Sequence, residues 1–253
     1  MVAPYRSAVE SERHPAQELW ARHHPPDGYP AGVLAVREPI PGIAFFPGGY
    51  GLWRHDTTRP LPPMPIGGIM VLGHDFHSER GYESSLARGR ESASQPTWRQ
   101  LCKLFAAVGI DPSECFFTNI YMGLRAGAAT TGPFPGRTDQ RFVEHCRRFL
   151  AEQLRVQRPS LILTLGIYVP SFLAVLSCDL RVWTQGAGLK YLDRVGPVRT
   201  GVRFEAEPPV VATVVALTHP SLRDASVRHR RYRGREGHAA ELEMLREALA
   251  PTC

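Results

Sequence analysis

Residues 67–77 read "GGIMVLGHDFH", and this stretch decides the expected fold of the 253-residue chain. The apolar letters "IMVL" are short and bounded by glycine, which indicates a buried strand. The strand ends directly in His74, Asp75 and His77, which place an acid between two imidazoles. In an open α/β sheet, ligands bind at the carboxyl ends of parallel strands, so this junction is a candidate functional site.

Further apolar runs alternate with helical patterns along the rest of the chain. Buried strands are predicted in "CFFTNIYMG" (115–123), "SLILTLG" (160–166) and "PVVATVVALTHPS" (209–221), and helices over 97–108, 138–159 and 236–250. Thr97 and Gln100 have the spacing of a capping box at the first of these helices. Strands that are apolar on both faces and alternate with helices predict a three-layer α/β/α fold with a central parallel sheet of about four strands.

The composition changes near residue 65. Residues 1–65 are rich in proline and glycine, so we expect an irregular arm on the surface, with a short strand near Val33. Residues 66–253 would then form the α/β/α domain. Within that domain the polar stretch 78–96 is expected to be a long loop, and long ordered loops are usually functional or mobile.

Charge is concentrated in one segment. The net charge is +6, from 30 basic and 24 acidic residues, and the stretch 223–235 reads "RDASVRHRRYRGR". Six arginines and one aspartate in this stretch favour contact with a polyanion such as a nucleic acid. The alternative is a solvated loop in an arginine-rich protein.

Cysteine spacing and the length of the apolar runs argue against several other classes of protein. The five cysteines form no CxxC pair, which argues against an iron–sulfur cluster, a zinc ribbon or a disulfide framework and favours a reducing cytoplasm. Residues 1–15 lack the apolar core of a signal peptide. The longest apolar stretch, 161–176, falls short of the roughly 20 residues of a membrane span. We expect a cytoplasmic monomer with no membrane partner.

Polar residues follow three of the predicted strands. Asp75, Asn119 and His219 are far apart in sequence, yet parallel strands would bring them to one edge of the sheet. The remaining strand ends in Gly166, which allows a close approach by another group. These positions are the predicted active site.

The residue types limit the chemistry. The chain has no GxSxG elbow, no GxxxxGK[ST] phosphate loop and no strand-linked GxGxxG. His74, Asp75 and His77 could bind a metal, so a metal-dependent hydrolase is one alternative. Asparagine can read one edge of a base, a carboxylate can offset cationic charge on a sugar, and histidine can hydrogen-bond a departing oxygen. This set suits cleavage of an N-glycosidic bond on a flipped base.

Three motifs resemble one family. "LGHDFH" (72–77), "FFTNIY" (116–121) and "LTHPS" (217–221) are similar, in order, to motifs of the uracil-DNA glycosylase superfamily, and the similarity covers roughly 66–250. The resemblance implies a monofunctional DNA glycosylase of base excision repair, without metal or organic cofactor, acting on DNA that contains a damaged base. Asp75 would activate or orient water and stabilise the sugar cation, and His219 would stabilise the departing base.

The resemblance also implies binding residues. Asn119 would read the base, with His74, Phe76 and His77 around it. The stretch 78–96 could carry an aromatic platform for the base, with Tyr82 as a candidate. Ser221 would hold a phosphate and Leu222 or Arg223 would fill the space of the flipped nucleotide. The DNA-binding residues continue through the basic segment as Arg228, Arg230 and Arg231.

Two departures from the family pattern leave alternatives open. Phe76 and His77 stand where the best-known branch has proline and tyrosine, so uracil is the first candidate base, with hypoxanthine, xanthine and mismatched bases still possible. His74 stands where that branch commonly has glutamine. A nucleic-acid-binding protein that has lost the chemistry on the same fold is therefore the second hypothesis.

Overall fold

The computed structural model describes residues 14–49 and 64–250. In chain order the elements are α1 (His14–Arg22), β1 (Val33–Leu34), β2 (Ile69–Asp75), α2 (Glu79–Ala87), α3 (Pro96–Val108), β3 (Cys115–Tyr121), β4 (Leu124–Arg125), α4 (Gln140–Gln157), β5 (Leu161–Leu165), α5 (Val169–Leu173), α6 (Leu189–Val195), β6 (Val198–Phe204), β7 (Val210–Leu217), α7 (Arg223–Ser226), β8 (Arg231–Tyr232), β9 (Arg235–Glu236) and α8 (Gly237–Leu249). Short 3₁₀ turns join several of them.

The central sheet has five strands in the order β3-β2-β5-β7-β6. The first four are parallel to one another, and β6 pairs antiparallel with β7 at the edge. The predicted α/β/α fold and its parallel strands are confirmed. The edge strand β6 was not predicted, because its sequence "VRTGVRF" is half polar and mostly solvent-facing rather than continuously apolar.

The two faces of the sheet carry separate apolar cores. Alternate residues of β2 point to opposite faces, so Met70 belongs to one cluster and Val71 to the other. Helix α4 covers the first face and contributes Leu150, whereas α3 and α8 cover the second and contribute Trp98 and Met244. The strands therefore bury both faces, as their continuous apolar runs predict.

The N-terminal segment is part of this core, so the expectation of a surface arm was wrong for the stretch around Phe46. Phe46 is fully buried and Phe45 nearly so, and the two side chains enter opposite apolar clusters. The Phe46 N–H donates to the Phe117 carbonyl over 3.0 Å. Because β3 is an edge strand, this bond covers part of an edge that would otherwise be open. The arm also contains helix α1.

The region between β2 and α3 also differs from expectation. Residues 78–96 are not a long loop, because α2 occupies Glu79–Ala87 and begins where the Ser78 side chain accepts the Gly81 N–H. Helix α3 begins at Pro96 with no side-chain cap, so the predicted capping box was wrong. The Gln100 amide instead donates to the Asp224 carboxylate over 3.1 Å. Across the described residues, the helices are too short or too polar to cross a membrane.

Candidate active site

Strand register brings the predicted residues together. Asp75 ends β2, and in the pairing of β2 with β3 Gly73 lies beside Asn119. A Cβ on Gly73 would lie 2.3 Å from Asn119 Oδ1, so only glycine lets this amide lie across the neighbouring strand. His219 follows β7 at the carboxyl end of the parallel strands, where Gly166, which follows the neighbouring strand β5, lies against it. The expected meeting of polar residues at one edge is therefore observed.

Asp75 is held in a tight set of hydrogen bonds. Its Oδ2 accepts the Arg125 Nε–H over 2.6 Å, and its Oδ1 accepts from Arg125 Nη2 over 3.1 Å and from His74 Nδ1 over 2.7 Å. The side chain is only 11% exposed. Burial alone would raise the pKa of Asp75, but the hydrogen bonds and charges of His74 and Arg125 outweigh it and lower that pKa. Asp75 is therefore an ionised carboxylate at neutral pH.

Arg125 is a residue of the site that sequence reasoning missed. It lies in the short strand β4, and its side chain is 5% exposed. Besides Asp75, its guanidinium donates to the carbonyls of Thr131, Gly132 and Pro133. "LRAG" carries no recognisable motif, and only the crossing of two distant segments shows that Arg125 faces the acid.

His219 is placed by Gly166 and by its own turn. Gly166 has φ +88°, and a Cβ there would lie 3.1 Å from the Cβ of His219, so the predicted close approach at this glycine is confirmed. His219 Nδ1 accepts the Ser221 N–H over 3.3 Å and lies 2.8 Å from the Ser221 hydroxyl. Burial lowers the pKa of His219, with Asp75 raising it and His74 lowering it further. A neutral ring that accepts at Nδ1 carries its proton on Nε2 and is a donor there.

Asn119 and Phe76 are fixed by the N-terminal segment. Asn119 is 2% exposed, and its Nδ2 donates to the Phe46 carbonyl over 2.9 Å. The ring of Phe76 is buried and lies directly on Gly48, where a Cβ would come within 1.8 Å of it. The Phe46 carbonyl thus fixes the Asn119 amide, and Phe76 packs on the same N-terminal segment at Gly48.

The two histidines of the first motif have different surroundings. His74 stacks on Tyr168 with ring centroids 4.8 Å apart. His77 lies against Gly81, and its Nδ1 accepts the Ser78 N–H over 2.9 Å, while burial lowers its pKa. Their nitrogens do not converge with Asp75 on one point. Within residues 14–49 and 64–250, no three His, Cys, Asp or Glu side chains are arranged to hold a metal ion.

Exposed apolar side chains follow His219 and Gly166 in the sequence. Leu222 is 55% exposed, one residue beyond the exposed Ser221. Ile167 and Tyr168, which directly follow Gly166, are 47% and 43% exposed. Sequence reasoning missed this pair, although two large apolar residues after a strand-ending glycine are a usable signal. We call Ile167, Tyr168 and Leu222 the apolar rim.

The arginines of the basic segment divide into two groups. Arg228 and Arg231 are exposed, as expected for DNA contacts, although Arg231 also pairs with Glu236 over 2.9 Å. Arg223 and Arg230 are buried, so their assignment as DNA-binding residues was wrong. Both pair with the fully buried Glu241.

Arg230 is the centre of the buried group. It donates to the Asp193 carboxylate over 2.9 Å and to the Ala216 carbonyl over 2.8 Å. Glu241 also accepts the Thr218 N–H over 2.6 Å. These buried ions therefore hold the end of β7, directly before His219.

Tyr82 does not serve as a platform for a base. The side chain is 4% exposed, and its hydroxyl donates to the Glu38 carbonyl over 2.8 Å. It anchors α2 to the N-terminal segment, so the role considered for it at the base was wrong.

Comparison with known families agrees with this geometry. The Uracil DNA glycosylase superfamily matches residues 85–236, which is more than half of the chain. The matched range contains Asn119, His219 and Ser221 but begins after Asp75, whose place rests on the sheet register described above. Comparison with curated proteins gives no match. The matched range and the resemblance of all three strand-end motifs lead to one conclusion: the chain belongs to the uracil DNA glycosylase superfamily.

Proposed function

We propose that the protein is a monofunctional DNA glycosylase that hydrolyses the N-glycosidic bond of a flipped damaged base, with uracil as the first candidate. One observation carries the proposal: Asp75, which accepts from Arg125 and His74, and His219, whose Nδ1 accepts the Ser221 N–H, lie at the carboxyl ends of strands of one parallel sheet. A permanent anion and a hydrogen-bond donor are the two groups that a dissociating base–sugar bond needs on its opposite sides. Family membership supports a glycosylase in general.

The residues divide the chemistry between sugar and base. As the C1′–N bond breaks, its electron pair leaves with the base, whose carbonyl oxygen gains negative charge and accepts a hydrogen bond from His219 Nε2. Asp75 offsets the positive charge on the sugar and orients a water. The water oxygen bonds to C1′, and its proton passes by way of the carboxylate to solvent. No electron donor or acceptor is needed.

The exposed residues give a DNA-facing surface. Leu222 can enter the base stack in place of the flipped nucleotide, and the Ser221 hydroxyl can bind a phosphate. Arg228 and Arg231 lie further along the same segment and can follow the DNA backbone. Asn119 would read the base edge, and His74 would border the base pocket beside Tyr168. DNA containing a damaged base is therefore the proposed partner.

The test is base release from labelled oligonucleotides that carry uracil, hypoxanthine, xanthine or a G·T mismatch, measured with and without chelator. Asp75→Asn should lower turnover by roughly 10²- to 10⁴-fold with little change in DNA binding. Asp27→Asn, which changes an exposed acid in the N-terminal segment, is the matched control and should release the base normally. Unchanged turnover in Asp75→Asn would remove Asp75 from the mechanism.

One observation favours the second hypothesis, a nucleic-acid-binding protein without turnover. Arg125 contacts both oxygens of Asp75 and offsets much of its charge. Under this hypothesis none of the four substrates would release a base, while salt-dependent DNA binding would persist. Release that stops only in chelator would instead point to a metal-dependent hydrolase.

A further inference from the structure

We propose that Arg125 is a positioning residue for base release, which fixes the Asp75 carboxylate so that Oδ2 is the oxygen that faces the attacking water. The inference rests on the proposed glycosylase function and deepens it. Arg125 contacts the acid and not the substrate, so its effect would act through Asp75.

The geometry of Arg125 is that of a clamp. A guanidinium has five N–H donors in a planar fork. Here they are directed to both Asp75 oxygens and to the three carbonyls of residues 131–133. The main chain is held as well, because the Arg125 N–H donates to the His77 carbonyl over 3.0 Å and β4 pairs with β1. The guanidinium therefore has little freedom to move, and neither has the carboxylate.

The clamp leaves one oxygen available. Asp75 Oδ1 accepts from both His74 Nδ1 and Arg125 Nη2, which uses both of its lone pairs. Oδ2 accepts from Arg125 Nε alone among the described residues. Its second lone pair can accept a hydrogen bond from water. Without Arg125, the bond from His74 to Oδ1 would be the remaining restraint on the carboxylate among the described residues, and the carboxylate would be less fixed.

Arg125 is also the permanent positive charge beside the acid. In the described part of the chain, five titratable or charged groups interact with Asp75. His74 lies on the same strand, His77 in the following loop, and Tyr121, Arg125 and His219 lie in or just after β3, β4 and β7. Burial lowers the pKa of His77 and of His219, so neither ring is charged at neutral pH. The hydrogen bond from His74 and that from Arg125 both lower the pKa of Asp75, and arginine stays protonated, so Arg125 contributes a permanent charge that favours the ionised acid.

The experiment measures the pH titration of the Asp75 carboxyl directly. Carbon-13 NMR would titrate the Asp75 carboxyl, assigned by its loss in Asp75→Asn, in the parent protein and in Arg125→Lys and Arg125→Met. The exposed Arg137→Met is the matched control. Single-turnover base release would be recorded over the same pH range.

We expect the parent carboxyl to titrate below the ordinary aspartate range, so that the acid limb of base release that belongs to Asp75 also lies below that range. In Arg125→Met the carboxyl should titrate at higher pH, and the acid limb of base release should move with it. Misplacement of the acid should also slow release by roughly 100-fold at neutral pH. Arg125→Lys should fall between the two because it keeps the charge and loses the fork, and Arg137→Met should match the parent.

Two outcomes would overturn the proposal. One is a parent carboxyl that titrates at or above the ordinary range, which needs no variant and so holds even where Arg125→Met does not fold. The other is a folded Arg125→Met with an unchanged titration and an unchanged acid limb. The NMR titration requires no base release, so a protein with a low Asp75 titration and no turnover would refute the glycosylase function alone.

Discussion

Replacing Arg230 by methionine tests whether this arginine of the basic segment binds DNA or stabilises the scaffold. The Arg230 side chain is fully buried and pairs with Asp193 and Glu241. Methionine fills similar volume but supplies no charge and no N–H donor. Both carboxylates would lose a partner, and the Ala216 carbonyl would lose the bond that Arg230 donates to it.

The expected loss is large because the site excludes water. Removing one partner of a buried ion pair costs about 3–5 kcal/mol of unfolding free energy. In a protein of this length such a loss lowers the melting temperature by on the order of 10 °C. Urea unfolding followed by tryptophan fluorescence would measure the free energy. Arg228→Met is the matched control, since Arg228 is exposed in the same segment and should change stability by less than about 0.5 kcal/mol.

The two variants should affect DNA binding in the opposite order, with the larger effect from Arg228→Met. Arg228→Met should reduce the salt dependence of DNA affinity by about one phosphate contact, whereas folded Arg230→Met should leave that slope unchanged. If Arg230→Met unfolds within about 1 kcal/mol of the parent and loses the same phosphate contact, the assignment of Arg230 to the scaffold is refuted.

Three further changes test other parts of the structure. Burial raises the pKa of Glu91 to about 8, against smaller opposing effects of Trp98 and Phe45, so the stability linked to its protonated form is lost as pH rises through that value. Glu91→Gln should therefore remove a fall in melting temperature between about pH 4.5 and 8, and an unchanged fall would contradict the assignment. Leu222→Ala should leave unfolding unchanged but slow base release from duplex more than from single-stranded DNA, because only the duplex needs a wedge; equal slowing would argue against that role. Gly166→Ala should cost about 1–3 kcal/mol from its left-handed backbone and should lower turnover by displacing His219, as thermal melts and single-turnover rates would show.

The sequence predicts the strand ends well because local pattern and sheet topology are enough to place them. A short apolar run that ends in Gly73-His74-Asp75, and another that ends in Thr218-His219, need only parallel pairing to meet at one edge. The contacts of Arg125 could not be predicted in this way. They depend on a side chain from a two-residue strand reaching β2 across some fifty positions of sequence.

The buried arginines failed prediction for a related reason. A run such as 223–235 indicates a solvated surface, since arginine is rarely buried without a partner. The partners of Arg230 are Asp193 and Glu241, which lie on α6 and α8 and have no marked pattern of their own. Phe46 is a similar case, because proline- and glycine-rich sequence around it predicts a surface segment. Burial by residues that are distant in sequence depends on the tertiary structure, so the periodicity of a sequence cannot predict it.

The hydrogen bond from Asn119 to the Phe46 carbonyl has a consequence for base selectivity. The side chain proposed to read the base is oriented by a stretch that lies outside residues 85–236, the range matched to the superfamily. Phe76, just below the site, packs on Gly48 of the same stretch. Two proteins could therefore share the whole matched range and yet prefer different bases, if their leading segments hold this amide at different angles.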